Sequence, residues 1–194
     1  MTVPRRAAAG RIRIIGGSLR NSRLEVPDLP GLRPTAERVR ETLFNWLAPV
    51  VDGARCLDLC AGTGALGIEA LSRGAVSVQF VERELRAVQA LHANLARLKR
   101  IDAGQVAAID AMVFLQQAAE PHDLAFLDPP FALDLWTALA QRLESGGWLT
   151  AHAWIYVESP RGPAPALPAN WLLHREGHAG EVRFALYRRT LPLS

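Results

Sequence analysis

The tetrapeptide Asp128-Pro129-Pro130-Phe131 joins a carboxylate, a rigid turn and an aromatic ring directly after an apolar run, LAFLD. The exocyclic amine of a nucleobase is a weak nucleophile, because its lone pair is delocalised into the ring. The Asp128 carboxylate and the Pro129 carbonyl are suited to accept its two N–H hydrogen bonds, and each proline stiffens the turn by fixing φ. Phe131 offers a face on which an unstacked base can lie, a contact worth about 1–3 kcal/mol. These residues predict amine methylation; a rigid loop with an aromatic core side chain is the structural alternative.

A glycine-rich stretch, LDLCAGTGALG at 57–67, follows another apolar run. Gly62, Gly64 and Gly67 match the spacing G-x-G-x-x-G, and the acidic residue Glu82 stands where the next strand ends. Glycine lets the backbone approach a nucleotide cofactor, and a carboxylate at the next strand end can accept hydrogen bonds from both ribose hydroxyls. These features fit a nicotinamide dinucleotide as well as S-adenosylmethionine, and a tight structural turn is the simpler alternative.

Asp58 favours S-adenosylmethionine over a dinucleotide. It stands four residues before the first glycine of the loop. A carboxylate there can meet the ammonium group of a methionine moiety, whereas it would repel a pyrophosphate.

The elements that must position these residues are strand-like apolar runs that alternate with helical stretches. The strand-like runs are 55–59, 76–82, 105–109, 123–127 and 153–158, and the helical stretches between them are 65–73, 84–99, 111–118 and 133–143. Such alternation predicts a parallel sheet that is covered on both faces. The last two runs, 171–176 and 181–189, are too close together for a crossover helix and predict an antiparallel hairpin. The predicted fold is therefore α/β and Rossmann-like, with the seven-stranded, mostly parallel sheet typical of class I S-adenosylmethionine methyltransferases.

Asp110 ends the third of these strand-like runs. In methyltransferases of the predicted fold, the acid at this position contacts the adenine amino group, and the next backbone N–H, here that of Ala111, reaches the ring. Asp110 can also cap the helix predicted at 111–118, and the two roles are compatible.

The first forty residues form a basic segment (residues 1–40). It holds nine arginines against three acidic residues, a net charge of +6 within a chain whose total is +3. A basic segment on a mildly acidic body indicates a polyanionic partner such as nucleic acid, although a general preference for arginine contributes to the count. Residues 11–17 alternate basic and apolar groups and predict a strand that pairs with 23–26. Prolines predict a loop at 27–34, and Thr35 is the expected N-cap of a helix that ends before Pro49.

Other features limit the possible classes of protein. Within this sequence no apolar run reaches eighteen residues, and no apolar stretch follows the first arginines, so neither a membrane span nor a secretory signal is expected. Cys56 and Cys60 are expected to be reduced thiols rather than half of a metal site, and His174 and His178 do not form a helical pair. We expect no metal, a cytoplasmic location and a monomer.

Several long motifs together resemble the RsmD family of methyltransferases, over roughly residues 11–190. They are RIIGG at 13–17, GLRPT at 31–35, RVRETLFNWL at 38–47, LDLCAGTGALGIEALSRGA at 57–75, FLDPPF at 126–131, YVES at 156–159 and PANWLLHREGHAGEVRFALY at 168–187. The resemblance implies methylation of N2 of one guanine, position 966 in the usual ribosomal numbering, in 16S rRNA of the assembled small ribosomal subunit. Cys60 departs from the family where a larger aromatic residue is usual, and Glu84 departs where Asp is frequent.

Site residues follow from the resemblance position by position. The cofactor site is expected to include Asp58, Ala61, Gly62, Gly64, Glu82, Asp110 and Ala111. Guanine N2 is expected at Asp128, Pro129 and Phe131. Residues expected near the RNA are Arg11, Arg13, Arg20, Arg23, Thr35, Arg38 and Arg40. The resulting organisation is an N-terminal extension with a β-hairpin, residues 1–34, followed by a methyltransferase domain, residues 35–194, with a leading helix at 35–48.

Three alternatives stay open on the residues themselves. A DNA adenine-N6 methyltransferase would share the proline motif, although the chain shows no separate target-recognition domain. A nicotinamide-dependent oxidoreductase would share the glycine loop. A non-catalytic RNA-binding assembly protein would keep the basic segment but would not need the proline motif.

Overall fold

The computed structural model describes residues 10–29, 32 and 35–191. Much of the loop predicted at 27–34, and the first arginines of the basic segment, therefore lie outside the described residues. The elements in chain order are β1 (Gly10–Arg13), β2 (Arg23–Val26), α1 (Glu37–Leu47), β3 (Arg55–Asp58), α2 (Ala65–Ser72), β4 (Ser77–Val81), α3 (Leu85–Arg97), β5 (Gly104–Ala107), α4 (Ala111–Phe114), β6 (His122–Leu127), α5 (Trp136–Ser145), β7 (Leu149–Pro160), β8 (Trp171–Ala179) and β9 (Val182–Arg189).

Seven strands form one sheet in the order β5-β4-β3-β6-β7-β9-β8. Strands β3 to β7 pair in parallel, whereas β9 pairs antiparallel with both β7 and β8. The predicted fold class is confirmed, including the closing hairpin. That hairpin places its second strand, β9, against the parallel part of the sheet and leaves β8 at the edge.

Side chains of the central strands alternate between two hydrophobic clusters, as the period of two in a strand requires. Cys56, Phe80 and Phe126 face the cluster that contains the buried residues of α1, α2 and α3. The next residues along two of these strands, Leu57 and Leu127, face the cluster that contains those of α4 and α5. Helices thus cover both faces of the sheet, which explains why these strands are continuous apolar runs in the sequence.

The N-terminal hairpin of β1 and β2 is confirmed, with Ile12 opposite Leu24. It packs on the core of the α/β fold, because both of these residues are buried in the same cluster as α1, α2 and α3. Asn94 of α3 fixes it further: its amide accepts a hydrogen bond from the Glu25 N–H and donates one to the Glu25 carbonyl, each at 3.0 Å. The predicted strand 11–17 ends early, because the chain turns into a 3-10 helix at Gly17–Leu19.

Three helices differ from the predicted bounds. The first begins at Glu37 with Ala36 as its N-cap residue and no side-chain cap, so the capping role predicted for Thr35 is wrong. The predicted helix 111–118 ends at Phe114. The predicted helix 133–143 begins only at Trp136, because a short 3-10 turn at Phe131–Leu133 and the left-handed residue Asp134 precede it.

The parallel strands place their carboxyl ends along one edge of the sheet, so the acids that end them are brought together. None of the helices in the described part of the chain combines the length and apolarity needed to cross a bilayer.

Candidate active site

A cleft of about 910 Å³ opens along the carboxyl edge of the sheet. Its lining includes nearly all of the predicted cofactor and catalytic residues, namely Asp58, Ala61, Gly62, Glu82, Asp110, Ala111, Asp128, Pro129 and Phe131. Thr35 also lines it, together with Leu29 and Leu32 from the N-terminal part of the chain. One cleft therefore joins residues that are far apart in the sequence.

Gly64 is an exception among the predicted cofactor residues, because it does not line the cleft. It adopts φ +73° at the N-terminus of α2. A Cβ atom built there would stand 2.4 Å from the Leu91 Cδ1 atom of α3. The glycine is therefore required by the turn and by the close packing of α2 against α3. Its role is to shape the loop that carries the cleft residues.

Gly62 and Glu82 hold the glycine loop in place across two strand ends. The Gly62 N–H donates to Glu82 Oε2 at 2.7 Å, and the Glu84 N–H donates to Oε1 at 2.7 Å. Gly62 adopts φ +52°, a conformation that other residues rarely take. Glu82 thus has a fixed orientation at the cleft wall, where carboxylate oxygens can accept further hydrogen bonds.

Asp58 lies at the end of β3 and is 2% exposed. Its Oδ2 atom accepts the Gly67 N–H at 3.0 Å, and it forms no ion pair with any residue in the described ranges. Burial raises the pKa of Asp58 from 3.8 to about 7, against the opposing effect of the Gly67 hydrogen bond. A buried carboxyl group without a cation is suited to receive an ammonium group from a ligand.

Asp110 performs the capping role predicted for it. Its side chain accepts the Met112 N–H at 2.9 Å as the N-cap of α4. Arg83 approaches the other oxygen, Oδ2, at 3.6 Å. Asp110 and Ala111 both line the cleft, so capping leaves the predicted contact with a ligand possible.

Asp128 follows directly after β6, at the far side of the cleft from Glu82. Burial raises the pKa of Asp128 well above its usual value, and the nearby carboxylates Glu158 and Asp58 raise it further. The hydroxyl of Thr35 stands 3.5 Å from Asp128 Oδ2. Helix α1 is therefore joined to the site through the residue that precedes its N-cap, which is a different use of Thr35 from the one predicted.

Phe131 is positioned to offer a ring face to the cleft. It is 39% exposed, and its ring centroid lies 5.7 Å from that of the buried Trp136. The indole N–H of Trp136 donates to the Glu158 carbonyl at 2.7 Å, which ties the start of α5 to β7. The alternative of an aromatic core side chain does not apply to Phe131, because Trp136 fills the core position.

Glu158 and Tyr156 are site residues that the sequence reasoning missed. Glu158 lines the cleft while being only 7% exposed, and its Oε2 atom accepts the Tyr156 hydroxyl at 2.8 Å. A signal is present in the sequence: Glu158 is a single acid near the end of an apolar run, as Glu82 and Asp128 are. The family resemblance gives this acid no role, which is why it was not predicted.

The predicted RNA-contact arginines divide into two groups. Arg11, Arg20, Arg23 and Arg38 are exposed, and Arg13 is exposed beside Glu37. Arg40 is only 2% exposed, and its prediction as an RNA contact is wrong. Its guanidinium group donates to the carbonyls of Thr35 and Arg13, at 3.2 and 3.1 Å, and lies 3.6 Å from Glu69.

The two cysteines are free thiols. Cys56 is buried and Cys60 is partly exposed beside the cleft, and burial raises the pKa of both thiols. Both thiols are therefore protonated at neutral pH, and neither has the character of a nucleophile.

The strand order, the terminal hairpin and the glycine loop with its acid at the next strand end define a class I methyltransferase. More particularly, the chain belongs to the family described as Conserved hypothetical protein 95, whose model matches residues 12–188. This confirms the resemblance to the RsmD family on which the site residues were predicted.

Similar proteins match almost the whole chain. It is 52% identical to Ribosomal RNA small subunit methyltransferase D of Escherichia coli K12, over 97% of this chain and 96% of that protein. The protein of the same name from Haemophilus influenzae is 42% identical, over 93% and 95% of the two chains. The solved structure of Escherichia coli yhhF superposes with a TM-score of 0.87 at 49% identity, and the match covers 94% of this chain and 99% of that one.

Proposed function

We propose that this methyltransferase uses S-adenosylmethionine to methylate N2 of guanine 966 in 16S rRNA of the small ribosomal subunit. The observation that carries the proposal is the position of Asp128 and Pro129, which line the same cleft as the three spaced acids Asp58, Glu82 and Asp110. The Asp128 carboxylate and the Pro129 carbonyl are the two hydrogen-bond acceptors that the proposal assigns to the amine. Both relatives named above are small-subunit rRNA methyltransferases by name. The position and the atom come from the family resemblance.

The residues of the cleft fit S-adenosylmethionine. Asp58 provides an unpaired buried carboxyl group for the ammonium group of the methionine moiety, and Glu82 provides carboxylate oxygens for the ribose hydroxyls. Asp110 and the Ala111 N–H are the groups for the adenine ring. A pyrophosphate in the same place would meet the Asp58 carboxyl group, which has no cation beside it among the described residues, and this disfavours a nicotinamide dinucleotide.

The chain's own residues orient and polarise the amine. When bound, S-adenosylmethionine supplies an electrophilic methyl group whose bonding electron pair leaves with sulfur. Asp128 and the Pro129 carbonyl accept the two N–H groups of guanine N2, which turns the nitrogen lone pair toward the methyl group. As the N–C bond forms, N2 becomes acidic and releases one proton. Asp128 is suited to take it, because burial and its carboxylate neighbours have raised its pKa.

The target base has to leave its stack to reach this cleft. Base flipping costs a few kcal/mol, and stacking on an aromatic ring returns about 1–3 kcal/mol. Phe131 offers such a ring, and the exposed residues Arg11, Arg20, Arg23 and Arg38 can neutralise phosphates of a large RNA substrate. The N-terminal part of the chain would then supply both phosphate contacts and, through Leu29, Leu32 and Thr35, part of the cleft wall.

The test is methyl transfer to isolated small subunits from a strain that lacks the endogenous enzyme. With labelled S-adenosylmethionine, nucleoside mass spectrometry of the rRNA should show N2-methylguanosine and no methyladenosine. Methylation of adenine alone would support the DNA adenine-N6 alternative, and the absence of any transfer would support a binding protein. A thermal-shift comparison of S-adenosylhomocysteine with NADH separates the oxidoreductase alternative, because only the first should stabilise the protein.

A further inference from the structure

Glu158 stands beside Asp128 in the cleft and has no part in the function proposed above. The last paired residues of their parallel strands are Leu127 of β6 and Val157 of β7, so the two acids occupy the next position on neighbouring strands. Parallel neighbours lie roughly 5 Å apart in the sheet. The two carboxyl groups therefore lie side by side at the edge that faces the cleft.

Two hydroxyl groups contact the pair of acids, one from Tyr156 on β7 and one from Thr35, which precedes α1. Tyr156, buried two residues earlier on β7, donates to Glu158 Oε2 at 2.8 Å. The Thr35 hydroxyl stands 3.5 Å from Asp128 Oδ2, at the limit of hydrogen-bonding distance. It also lowers the pKa of Glu158 as a hydrogen-bond donor. A hydroxyl group has one proton, so Thr35 satisfies only one of the two acids at a time. The pair therefore keeps acceptor capacity for donors that arrive with the substrate.

Guanine presents such donors. Its N2 amine carries two N–H groups, and the adjacent ring atom N1 carries a third. Adenine and cytosine also have exocyclic amines, but the ring nitrogen that neighbours the amine carries a lone pair on the Watson–Crick edge. An acceptor placed beside the amine-binding group can therefore distinguish guanine from the other two bases.

We propose that Glu158 is this specificity-determining residue: its carboxylate accepts the N1–H of the flipped guanine while Asp128 and the Pro129 carbonyl hold N2. The inference rests on the proposed function. A base with a lone pair at that position would face the carboxylate with no proton between them. A buried site built to receive a donor discriminates strongly against an analogue that lacks it, because the polar group is then left unpaired.

The surroundings of Glu158 act on its pKa in opposite directions. Burial is the largest effect and leaves the pKa of Glu158 raised, while the hydrogen bonds from Tyr156 and Thr35 lower it only in part. Asp128 and Asp58 are the other acids at this part of the cleft. The acceptor form of Glu158 is therefore favoured by substrate binding, because an N1–H donor adds a hydrogen bond that only the ionised form accepts in full.

The test uses Glu158→Gln, which keeps the shape of the side chain and can still accept the Tyr156 hydroxyl. Its amide then turns an N–H toward the base, which opposes guanine N1–H and matches the adenine ring nitrogen. Small subunits are prepared with guanine or with adenine at the position that the unaltered enzyme methylates. Glu120→Gln is the matched control, because Glu120 is exposed and lies outside the cleft lining. Binding of S-adenosylhomocysteine to each variant checks folding.

The expected result is a change of preference rather than a uniform loss. Glu158→Gln should lower transfer to guanine by at least about tenfold. It should also raise the ratio of adenine to guanine transfer by a larger factor, while Glu120→Gln changes neither. Unchanged guanine transfer, or an equal loss on both bases with cofactor binding intact, would overturn the role of Glu158.

A second measurement uses the unaltered protein and therefore does not depend on the folding of a variant. Subunits with 2-aminopurine at the target keep the N2 amine but present a lone pair at N1. Their methylation should be at least about tenfold slower than that of guanine, and an equal rate would contradict the inference. If the unaltered enzyme makes no N2-methylguanosine at all, the proposed function itself fails, which separates the two outcomes.

Discussion

The acids of the cleft share a residue type but differ in their surroundings. Glu82 is held by two backbone N–H groups and Asp110 caps a helix, whereas Asp58 and Asp128 are raised in pKa by burial. These differences suit separate tasks, because a fixed carboxylate orients a ligand while a carboxyl of raised pKa can receive a cation or a proton.

Replacement of Asp128 tests its place in the reaction. Asp128→Ala should lower the rate of methyl transfer by about 10²- to 10⁴-fold, because the amine loses an acceptor and the released proton loses its nearest base. Cofactor affinity, measured by calorimetry, should stay nearly unchanged. Asp102→Ala, a change of an exposed acid, is the control for the loss of a carboxylate. Loss of cofactor binding on Asp128→Ala would contradict the role at the target amine and assign Asp128 to the cofactor site instead.

The pH dependence of cofactor affinity tests Asp58. In the folded protein its pKa is about 7, so the side chain carries a proton below that pH and must lose it to pair with an ammonium group. Affinity for S-adenosylmethionine should therefore weaken as pH falls below about 7, by up to about tenfold per pH unit, and should level off just above it. Asp58→Asn should bind weakly with a flat profile, whereas Asp52→Asn, at an exposed position, should keep the slope. A flat profile in the unaltered protein would contradict the assignment.

At the residue scale, the site residues that the sequence predicts are those whose position follows from the order of the strands. Acids at strand ends were predictable, because parallel strands bring their carboxyl ends to one edge. The burial of Arg40 was also readable, because Leu43, Phe44 and Leu47 follow it at helical spacing on the apolar face of α1. What the sequence does not show is the partner of Arg40, Glu69 of α2, which depends on how the two helices pack. Glu158 belongs to the first kind, because it carries the same signal as the other acids, but it was not predicted.

At the scale of elements, Glu69 of α2 joins three parts of the chain. Its carboxylate accepts the N–H groups of Ile15 and Gly16 at 2.9 and 2.8 Å and the Arg73 Nε–H at 2.9 Å. Arg40 of α1 approaches the same group at 3.6 Å. The hairpin and α1 are thus fixed to the cofactor-binding part of the fold by one buried acid.

Two arginines of α1 provide a matched test of this arrangement. Arg40→Ala should lower the free energy of unfolding by about 3 kcal/mol, because it removes one partner from a buried charge network. Arg38→Ala, two residues earlier and exposed, should change it by less than about 0.5 kcal/mol. Urea denaturation measures both. A small effect of Arg40→Ala on stability, with a large effect on RNA binding, would return Arg40 to the RNA-contact group.

Element existence followed from the sequence, while element ends depended on tertiary contacts. The alternation of apolar runs and helical stretches predicted five strands and four α-helices, and shorter patterns predicted the two hairpins and α1, which together account for the nine strands and five α-helices of the described residues. The two short 3-10 helices were not predicted. The start of α1 differed because the Thr35 hydroxyl is directed at Asp128 instead of the helix N-terminus. The start of α5 differed because the segment after the proline motif takes a 3-10 turn to present Phe131.

At the scale of the whole molecule, the basic segment supplies part of the cleft wall. Leu29, Leu32 and Thr35 line the same cleft as the acids, and the hairpin that precedes them carries exposed arginines. The turn of that hairpin is anchored at the other end of α2, because the Leu19 N–H donates to the Ser72 hydroxyl at 2.9 Å. The segment that carries the charge asymmetry of the sequence therefore extends from the far end of α2 to the cleft.

Removal of arginines from the hairpin should weaken subunit binding through electrostatics. Arg11→Ala combined with Arg20→Ala should reduce the slope of log affinity against log salt by about one for each phosphate that is no longer neutralised. The control is Arg142→Ala combined with Arg175→Ala, which removes the same charge from exposed positions outside the cleft lining. Filter binding over a salt series measures both, and equal slopes for the two double variants would argue against binding of RNA by the hairpin.

The central claim is that this cleft transfers one methyl group to guanine N2 in small-subunit rRNA. The most direct measurement is the stoichiometry and position of the transferred methyl group. Small subunits are reacted to completion, and the rRNA fragments are analysed by mass spectrometry. We predict one N2-methylguanosine per subunit at position 966, and formation of the same product at least about a hundredfold more slowly with Asp128→Ala. Methyl groups found only on adenine, or no transfer to the subunit by a protein that binds S-adenosylmethionine, would contradict the claim.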